Sequence, residues 1–476
     1  MTGSHHPVQE VRDAIYGFVK LSESEWELVD CPEFQRLRDI RQLAMAHLVY
    51  PGATHTRLEH SIGCVHLSAL MFDALVERDG ELIESEFNLP RAEQQRARQV
   101  LRLAALLHDI GHPPFSHSAE ELLASEVDQA TGKLQLDSRG KPKRITHEEM
   151  TARIIREGSI AQRIETLFEE QRISAEEVIA IATDFPCARF DRQPFHVFLH
   201  DLLAGELGSD RIDYLLRDAH HSGQKAGDFD YRRLVGTLRM VPPPEQAETG
   251  PRIGFDHGGW LVAEQMIVAR YLMYQSLYFH KTKRIFEIHL EQFMREWLKA
   301  RFDVPELPVD VSEFTALTDS AVLAELGRAA TDARDPGRAH AQRFRDRSHM
   351  RLARELILAD NCERRQDRRK PDKKRFAALA NGVRIKFGES VVIDEPDRSA
   401  TTMFDETTRI WIRIDEKTRY LDDISEIVRG MSDKIWRGRI YADREKVTEV
   451  KRFSEEWLKN HPAGEFKQEG GGDAGG

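Results

Sequence analysis

The sequence is poor in cysteine, which limits the ways in which the chain can be cross-linked. Its four cysteines, Cys31, Cys64, Cys187 and Cys362, lie far apart, and no two of them have the C-x-x-C spacing. This pattern disfavours both a disulfide scaffold and a cysteine-bound zinc. Isolated thiols are typical of a reducing compartment, so we expect the protein to be cytoplasmic.

Long apolar runs and excess positive charge are also missing. No stretch approaches the roughly 20 apolar residues that a transmembrane helix needs, and the first residues, MTGSHHPVQE, lack the apolar segment of a secretory signal. We therefore expect no membrane partner. The formal net charge is −11, whereas proteins that bind duplex nucleic acid are usually basic. Nucleic acid is a disfavoured partner, and a polyanionic ligand would need a local basic pocket.

Helical periodicity dominates the first 330 residues of the 476-residue chain. Apolar residues recur every three or four positions in residues 56–77, and a similar helix is expected over residues 32–46. Residues 91–108 end in VLRLAALLH, which is apolar on nearly every side and predicts a buried helix. Residues 128–144 are polar with two turn signals and predict a hairpin or a mobile loop.

The pattern changes after about residue 330. Residues 383–394 and 408–415 are rich in apolar and β-branched side chains and read as strands. We therefore predict a mainly α fold, with a helical domain over residues 1–330 and a smaller α+β domain over residues 331–460. Residues 461–476 have the composition of a disordered tail.

A histidine–aspartate pair, His108 and Asp109, lies at the end of the buried helix. A buried carboxylate is costly unless it is paired or coordinates a metal. One alternative is that His108 packs in the core as an ordinary polar residue. Further imidazole and carboxylate groups on other helices favour a divalent transition-metal site; they are His60, His112, His117, His147, Glu148 and Asp210.

Two polar stripes suggest the walls of a pocket. On the helix that follows residue 208, a metal-ligand candidate, a phenol, a cation and an acid share one face: Asp210, Tyr214, Arg217 and Asp218. The second stripe combines cations with aromatic rings, which suits a base and a phosphate chain: Arg270, Tyr274, Tyr278 and Lys281. An alternative for both stripes is a solvated face with salt bridges.

Four motifs follow one another in the chain: H-x-R-x-x-H at His55, HDIGHPPFSH at His108, THE at Thr146 and D-x-x-x-Y-x-x-x-D at Asp210. In order and spacing they resemble the HD-domain deoxynucleoside triphosphate triphosphohydrolases. The resemblance extends from about Cys31 to Arg284, which gives a catalytic core of about residues 31–285 within the HD-domain helical bundle. It implies hydrolysis of a dNTP to a deoxynucleoside and inorganic triphosphate.

The resemblance also implies a role for each matching residue. The metal ligands would be His60, His108, Asp109 and Asp210. The catalytic and supporting residues would be His112, His117, His147 and Glu148, with His117 protonating the departing sugar oxygen. Substrate contacts would come from Gln42, Leu43 and Asp218 at the deoxyribose and its 3′-hydroxyl, Tyr214 on the sugar ring, Arg57, Arg211 and Arg270 at the phosphates, and Tyr278 near the base. The metal could be Mn, Fe, Mg or Zn.

Two positions depart from the family pattern. Glu120 stands where an aspartate supports the catalytic histidine, and Phe279 replaces a glutamine near the base. Members of the family are often homotetramers activated by nucleotides, so we expect a homo-oligomer, dimer or tetramer, with a nucleotide activator. Asp30, Gln35 and Arg38 match one allosteric site, and the C-terminal domain would serve oligomerisation or allostery.

Two other functions remain open on the sequence. An HD phosphodiesterase or nuclease could use the same metal site on cyclic nucleotides or single strands, although no GYP triplet follows His108-Asp109. A nucleotide-sensing or nucleic-acid-binding protein would explain the basic segment at residues 362–375, which could equally be an exposed linker.

Overall fold

The computed structural model describes residues 8–126, 134–136, 140, 142–183, 194–243, 251–359, 363–395, 409–415, 417–431 and 435–462. Most of the polar segment at 128–144, Cys187, Cys362 and nearly all of the expected tail lie outside these residues. The side chains of residues 363–372, which carry most of the basic segment, are not described either. Across the described part, every helix is either too short or too polar to cross a membrane.

Helices form most of the described chain. In order they are α1 (Glu23–Val29), α2 (Pro32–Gln35), α3 (Arg57–Phe87), α4 (Arg91–Leu107), α5 (His147–Glu157), α6 (Ile160–Leu167), α7 (Ala175–Thr183), α8 (Pro194–Ala204), α9 (Ser209–Ser222), α10 (Tyr231–Gly236), α11 (Trp260–Met273), α12 (Lys281–Phe302), α13 (Val311–Thr315), α14 (Asp319–Thr331), α15 (Arg338–Arg345), α16 (Glu363–Phe387), α17 (Leu421–Ile424), α18 (Glu426–Gly430) and α19 (Val447–Asn460). This confirms the mainly α prediction.

The strands are short and form three small sheets. They are β1 (Val8–Asp13), β2 (Gly17–Ser22), β3 (Leu238–Val241), β4 (Arg252–Asp256), β5 (Arg351–Ala359), β6 (Val391–Asp394), β7 (Trp411–Ile414), β8 (Lys417–Tyr420) and β9 (Ile435–Ala442). The sheet orders are β1-β2, β3-β4-β7-β8 and β5-β9-β6. All pairs are antiparallel except β4 and β7, which run parallel with Phe255 opposite Ile412.

The long helix α3 is the axis of the bundle. Thr56 and Glu59 form a capping box at its first turn, which satisfies the free backbone N–H groups there. One side of α3 is buried along most of its length and packs against α4 and α9. These contacts bring the ends of three helices together at one place, where the polar side chains described below converge.

The described residues contain two large hydrophobic cores and a small cluster of three buried residues, Ile285, Met350 and Tyr441. The larger core contains the helical bundle and also includes Ile410, Ile412, Leu421 and Val428 from late in the chain. The smaller core lies between the β5-β9-β6 sheet and helices α16 and α19, with Phe376 and Ile440 fully buried in it. This smaller α+β unit agrees with the predicted fold class, whereas the boundary near residue 330 stays a prediction.

Some predicted elements differ from the structure. Residues 32–46, expected as one helix, form the four-residue α2 and two short 3₁₀ turns, Arg36–Asp39 and Ala44–Leu48. Residues 383–387, expected as part of a strand, continue α16, and only Val391–Asp394 is extended. The expected strand at 408–415 is confirmed as β7, whereas the β1-β2 hairpin and the strands β3, β4, β5, β8 and β9 were not predicted.

Candidate active site

The four expected metal ligands lie together where α3, the end of α4 and the start of α9 meet. His60 Nε2 is 3.0 Å from Asp210 Oδ1 and 3.5 Å from Asp109 Oδ2. His108 Nε2 is 3.4 Å from Asp109 Oδ1 and 3.8 Å from Asp210 Oδ1. Two imidazole nitrogens and two carboxylates thus face one centre, which is a suitable donor set for a divalent metal.

Three further observations test whether this cluster fits a metal. His108 Nδ1 is 2.9 Å from the carbonyl oxygen of Ala105, which leaves Nε2 directed at the cluster. Among the described residues, that Nε2 is buried and has no hydrogen-bond partner. Burial opposes ionisation of Asp109, but Arg57 and the neighbouring histidines outweigh it and hold its pKa well below the usual range. An imidazole acceptor without a donor beside ionised carboxylates is suited to bind a cation.

Cys64 is a neighbour of this cluster that sequence reasoning missed. It follows His60 by one helical turn, and its Sγ is 3.6 Å from His60 Nδ1 and 3.7 Å from Nε2. Cys64 groups with His60, His108 and Asp210 as side chains able to hold a metal ion together. Burial raises the pKa of its thiol to about 12, so Cys64 is protonated at neutral pH.

A buried chain of charges stands behind His60. Its Nδ1 is 2.8 Å from Asp213 Oδ2, and Asp213 accepts two hydrogen bonds of 2.9 Å from Arg217. Arg217 also pairs with Asp13 at 2.9 Å. Arg217 is fully buried and is not part of the pocket wall, so its predicted place on the wall is wrong. A ligand histidine has one ring nitrogen that faces away from the metal. A carboxylate that accepts a hydrogen bond from this nitrogen fixes the tautomer and the orientation of the histidine.

Gly63 makes this chain of contacts possible. A Cβ at this position would lie 2.1 Å from Asp213 Oδ1 and 2.3 Å from Arg217 Nη2. Helices α3 and α9 can approach this closely only because residue 63 has no side chain.

Three histidines surround one carboxylate beside the metal-ligand cluster. Glu120 Oε1 is 2.7 Å from His117 Nδ1, 3.0 Å from His147 Nδ1 and 3.9 Å from His112 Nδ1. His112 stacks on His147 with ring centroids 3.8 Å apart, and His112 Nε2 is 3.3 Å from Asp109 Oδ1. Glu148 Oε1 lies 3.3 Å from His147 Nε2. Despite the longer side chain of Glu120, its contact with His117 forms.

The environment shifts the pKa values of His112 and His147 in opposite directions. Burial, together with the charge of Arg57, holds the pKa of His112 well below its usual range. Burial also disfavours the charged form of His147, but the hydrogen bond to Glu120 and the charge of Glu148 outweigh it and raise the pKa. Adjacent rings thus favour opposite protonation states, an arrangement common at sites of acid–base chemistry.

The loop that carries His112 and His117 is held in an unusual backbone conformation. Phe115 and Ser116 both have positive φ, at 60° and 52°. The Phe115 N–H donates to Asp319 Oδ1 at 2.7 Å, and Arg57 Nε donates to Ser116 Oγ at 2.7 Å. Asp319 on α14 was not predicted from the sequence. Strained residues persist where the surrounding contacts fix them.

The expected substrate-binding residues line one cavity of about 1130 Å³ next to the metal-ligand cluster. It contains Gln42, Leu43, Arg57, Arg211, Tyr214, Asp218, Arg270 and Tyr278, together with His108, Asp109, Asp210, His112, His117, His147 and Glu148. His60 lies fully buried behind the wall. Lys281, the last member of the second stripe, is not among the lining residues.

Asp218 is fixed from two sides inside this cavity. His55 Nε2 is 2.8 Å from Asp218 Oδ1, and the Tyr278 hydroxyl donates to Asp218 Oδ2 at 2.6 Å. His55 stacks on His221, with centroids 4.5 Å apart. His55 belongs to the H-x-R-x-x-H motif, but its contact with Asp218 was not predicted.

The expected allosteric residues lie elsewhere. Gln35 Nε2 donates to the carbonyl oxygen of Val29 at 2.7 Å, and Arg38 Nε donates to Gln35 Oε1 at 2.6 Å. Asp30 and Arg38 are exposed, and neither they nor Gln35 line the cavity. Their role in binding an activator stays a prediction.

Comparison with known proteins agrees with these features. Residues 57–184 match the family described as HD domain, and residues 229–468 match the HD associated region. An uncharacterized protein of Methanocaldococcus jannaschii is 26% identical over 93% of this chain and 80% of its own length. The Dictyostelium discoideum homolog of deoxynucleoside triphosphate triphosphohydrolase SAMHD1 is 24% identical over 95% of this chain and 80% of its own. The Gallus gallus SAMHD1 is 27% identical over 65% of this chain and 50% of its own.

Two solved structures share the fold. A hypothetical protein from Aquifex aeolicus has a TM-score of 0.69 and 28% identity, covering 94% of this chain and all of its own. A phosphohydrolase from Bacteroides thetaiotaomicron has a TM-score of 0.64 and 22% identity, covering 92% of this chain and all of its own. Since the two family matches cover both halves of the chain and the donor cluster stands at the HD motif, the protein belongs to the HD-domain family of metal-dependent phosphohydrolases.

Proposed function

We propose that this HD phosphohydrolase hydrolyses dNTPs to a deoxynucleoside and inorganic triphosphate. One observation carries the proposal: a metal-ligand candidate, an aromatic ring and a fixed carboxylate follow one another on α9 and line the same cavity. These residues are Asp210, Tyr214 and Asp218. The arrangement suits a sugar held between a metal-bound phosphate and a carboxylate that accepts from the 3′-hydroxyl.

The sugar subsite would favour a 2′-deoxyribose. With one oxygen facing His55 and the other accepting from Tyr278, the Asp218 carboxylate has a fixed orientation. A hydroxyl that donates to a carboxylate held in this way is recognised strongly, because an analogue without the hydroxyl loses a charge-assisted hydrogen bond. The Tyr214 ring, half-buried beside Asp218, would leave little room for a 2′-hydroxyl. Phe279, which stands where the family has a glutamine near the base, lines the same cavity.

The metal would be held by His60, His108, Asp109 and Asp210, and when bound it supplies Lewis-acid activation of a phosphoryl oxygen and of water. His117 is the general acid in this proposal. The contact of its Nδ1 with Glu120 orients the ring, and its Nε2 would give a proton to the 5′-oxygen when the bond from that oxygen to the α-phosphorus breaks. His112, His147 and Glu148 set the electrostatic environment of His117. Arg57, Arg211 and Arg270 bind the phosphates.

We also propose regulation by a nucleotide. Asp30, Gln35 and Arg38 would contact an activator in a homo-oligomer. This part is supported by the resemblance and by the exposure of Asp30 and Arg38.

The test is to incubate the purified protein with Mn²⁺ and each dNTP or NTP, alone and in mixtures, and to separate the products. We expect deoxynucleoside and inorganic triphosphate, and activity that appears only in mixtures would support the activator. Release of orthophosphate or pyrophosphate would contradict the proposal, and hydrolysis of cyclic nucleotides or single strands instead would favour the phosphodiesterase. A 3′-deoxy analogue should react at least about tenfold more slowly. Full activity of Asp210→Ala would refute the ligand assignment.

A further inference from the structure

Glu206 lies in the turn between α8 and α9 and faces into the cavity. Its Oε2 accepts a hydrogen bond of 2.6 Å from Arg211 Nη1 and one of 2.8 Å from Arg270 Nη1. These two arginines are the proposed phosphate-binding residues of the cavity. The Glu206 carboxylate therefore lies between two guanidinium groups, at the position that a phosphate oxygen of a ligand would take.

The other basic side chains around the cavity are also paired. Arg57 is paired with Asp109, Arg144 with Glu306, Lys283 with Glu287, and Arg284 with Asp394 and Glu287. Glu206 differs from these partners because one of its oxygens serves two arginines. Like Glu306, it is only half-buried, with a side-chain exposure of 21%. It can therefore leave the arginines and reach solvent, which a fully buried carboxylate such as Asp394 cannot do at low cost.

Arg270 explains why a carboxylate is needed here. Its side chain is only 6% exposed, and its Nε is buried without a hydrogen-bond partner among the described residues. Burial opposes the charged form, but Tyr214 and Glu206 outweigh it and raise the pKa of Arg270. Without an anion beside it, this buried cation would be uncompensated. Glu206 supplies the anion while no phosphate is bound.

We propose that Glu206 competes with the polyphosphate of the substrate for Arg211 and Arg270 and so sets the affinity of the cavity for polyphosphate. This inference rests on the proposed function for the identity of the substrate, but the ligand it concerns is any polyphosphate anion. Binding requires Glu206 to give up both arginines, and this exchange weakens the affinity of the cavity for phosphate. Because Glu206 has left both arginines once the polyphosphate is bound, the chemistry near Asp210 does not depend on it.

The experiment compares wild type with Glu206→Gln in the full-length protein loaded with Mn²⁺. Calorimetric titration with inorganic triphosphate measures the dissociation constant at fixed salt and metal. We expect Glu206→Gln to bind inorganic triphosphate about tenfold more tightly, because a neutral amide competes less for the arginines. In dNTP hydrolysis the KM should fall by a similar factor while kcat changes by less than about twofold.

Glu291→Gln is the matched control. Glu291 pairs with Arg295 at 2.8 Å with a side-chain exposure of 22%, but it is not among the residues that line the cavity. This variant should leave the affinity for inorganic triphosphate unchanged. If Glu206→Gln does not fold, Glu206→Asp should show a smaller gain in the same direction, because a shorter side chain cannot bridge both arginines. Equal or weaker binding by whichever variant folds overturns the inference.

The two proposals fail in different ways. If inorganic triphosphate binds more tightly to Glu206→Gln but no dNTP is hydrolysed, the role of Glu206 stands and the dNTPase proposal falls. If dNTPs are hydrolysed to triphosphate and the substitution leaves triphosphate binding unchanged, only the role of Glu206 is refuted.

Discussion

Asp213 is the residue that most directly controls a proposed metal ligand without touching the metal. It joins His60 Nδ1 to Arg217, and all three side chains are fully buried. Burial opposes its ionisation, but the charge of Arg217 and the contact with His60 lower its pKa to about 2. The carboxylate is thus ionised at every pH at which the protein would be assayed.

We predict that Asp213→Asn lowers metal affinity about 10- to 100-fold. An amide cannot accept from both His60 and Arg217 with the strength of a carboxylate, so the imidazole loses its fixed orientation. The measurement is the dissociation constant for Mn²⁺, obtained from metal content at equilibrium. Asp73→Asn is the control, since Asp73 pairs with Arg98 at an exposed position. Unchanged affinity in the Asp213 variant would show that the contact does not orient His60.

At this scale the sequence indicates candidate metal ligands but not the residues that orient them. His60, His108, Asp109 and Asp210 were recognisable because their residue types and spacing are unusual in a helical core. Asp213 was not recognised, because a carboxylate one turn along α9 from Asp210 looks the same whether it faces solvent or a buried histidine. Arg217 was assigned to the wrong face for the same reason: helical periodicity groups residues by face but does not say which polar face is buried.

At the scale of elements, Gly63 sets the distance between α3 and α9. We predict that Gly63→Ala destabilises the protein by about 1–3 kcal/mol, although alanine favours helices, because the new Cβ collides with Asp213 and Arg217. Thermal or urea unfolding measures this. Gly327→Ala on α14 is the matched control, since no atom lies within 4 Å of its Cβ position. That variant should be about 0.5–1 kcal/mol more stable, and equal effects at both sites would contradict the role of Gly63.

Asp319 connects α14 to the loop that carries His112 and His117, and its pKa predicts how the stability of the protein depends on pH. It accepts from the backbone N–H of Phe115 and of Arg41, and burial raises its pKa to about 7. The charged form is therefore less favourable in the folded protein than in the unfolded chain. Its contribution to stability is fully present below the unfolded pKa of about 3.9 and is lost as the pH rises through about 7.

We therefore expect wild type to lose stability relative to Asp319→Asn between pH 4 and pH 8, by roughly 4 kcal/mol. Urea unfolding of both proteins across this range provides the measurement, because the difference between them isolates this carboxyl group from other titrating groups. A difference that is constant with pH, or that grows in favour of wild type, would contradict the assignment.

Helices with a continuous apolar stripe were predicted well. Segments whose conformation depends on contacts with residues distant in sequence were not. Helices α3 and α4 follow directly from periodicity. The segment 32–48 breaks into short turns because Arg36 turns inward and donates to the carbonyl oxygens of Leu317, Ile110 and His112. Contacts with residues so distant in sequence leave no local pattern.

At the scale of the whole molecule, late segments complete the early domain. Strand β7 pairs with β4, and Ile410, Ile412 and Leu421 belong to the larger core. Arg439 on β9 donates to the carbonyl oxygen of Phe279, beside the cavity. The division near residue 330 follows the change of composition and stays a prediction, and sequence patterns alone could not show that a later segment returns to the first core.

We predict that a fragment comprising residues 1–330 does not fold on its own. Without β7 the edge of β4 loses its partner, and the apolar surface covered by Ile412 and Leu421 is exposed. The far-ultraviolet circular dichroism and solubility of the fragment, compared with the full chain, test this. A soluble fragment with a cooperative thermal transition and bound metal would contradict it.

The parallel pairing of β4 with β7 also has a consequence for synthesis on the ribosome. Every proposed ligand and catalytic residue has been translated by the time β4 emerges, but the strand that covers β4 follows only after residues 257–410 have been made. Closing so long a loop is slow, and domains otherwise tend to fold from the N-terminus as they appear. The nascent chain therefore carries all of its catalytic groups well before it has a finished cavity, and hydrolytic activity should begin only after β7 has been made.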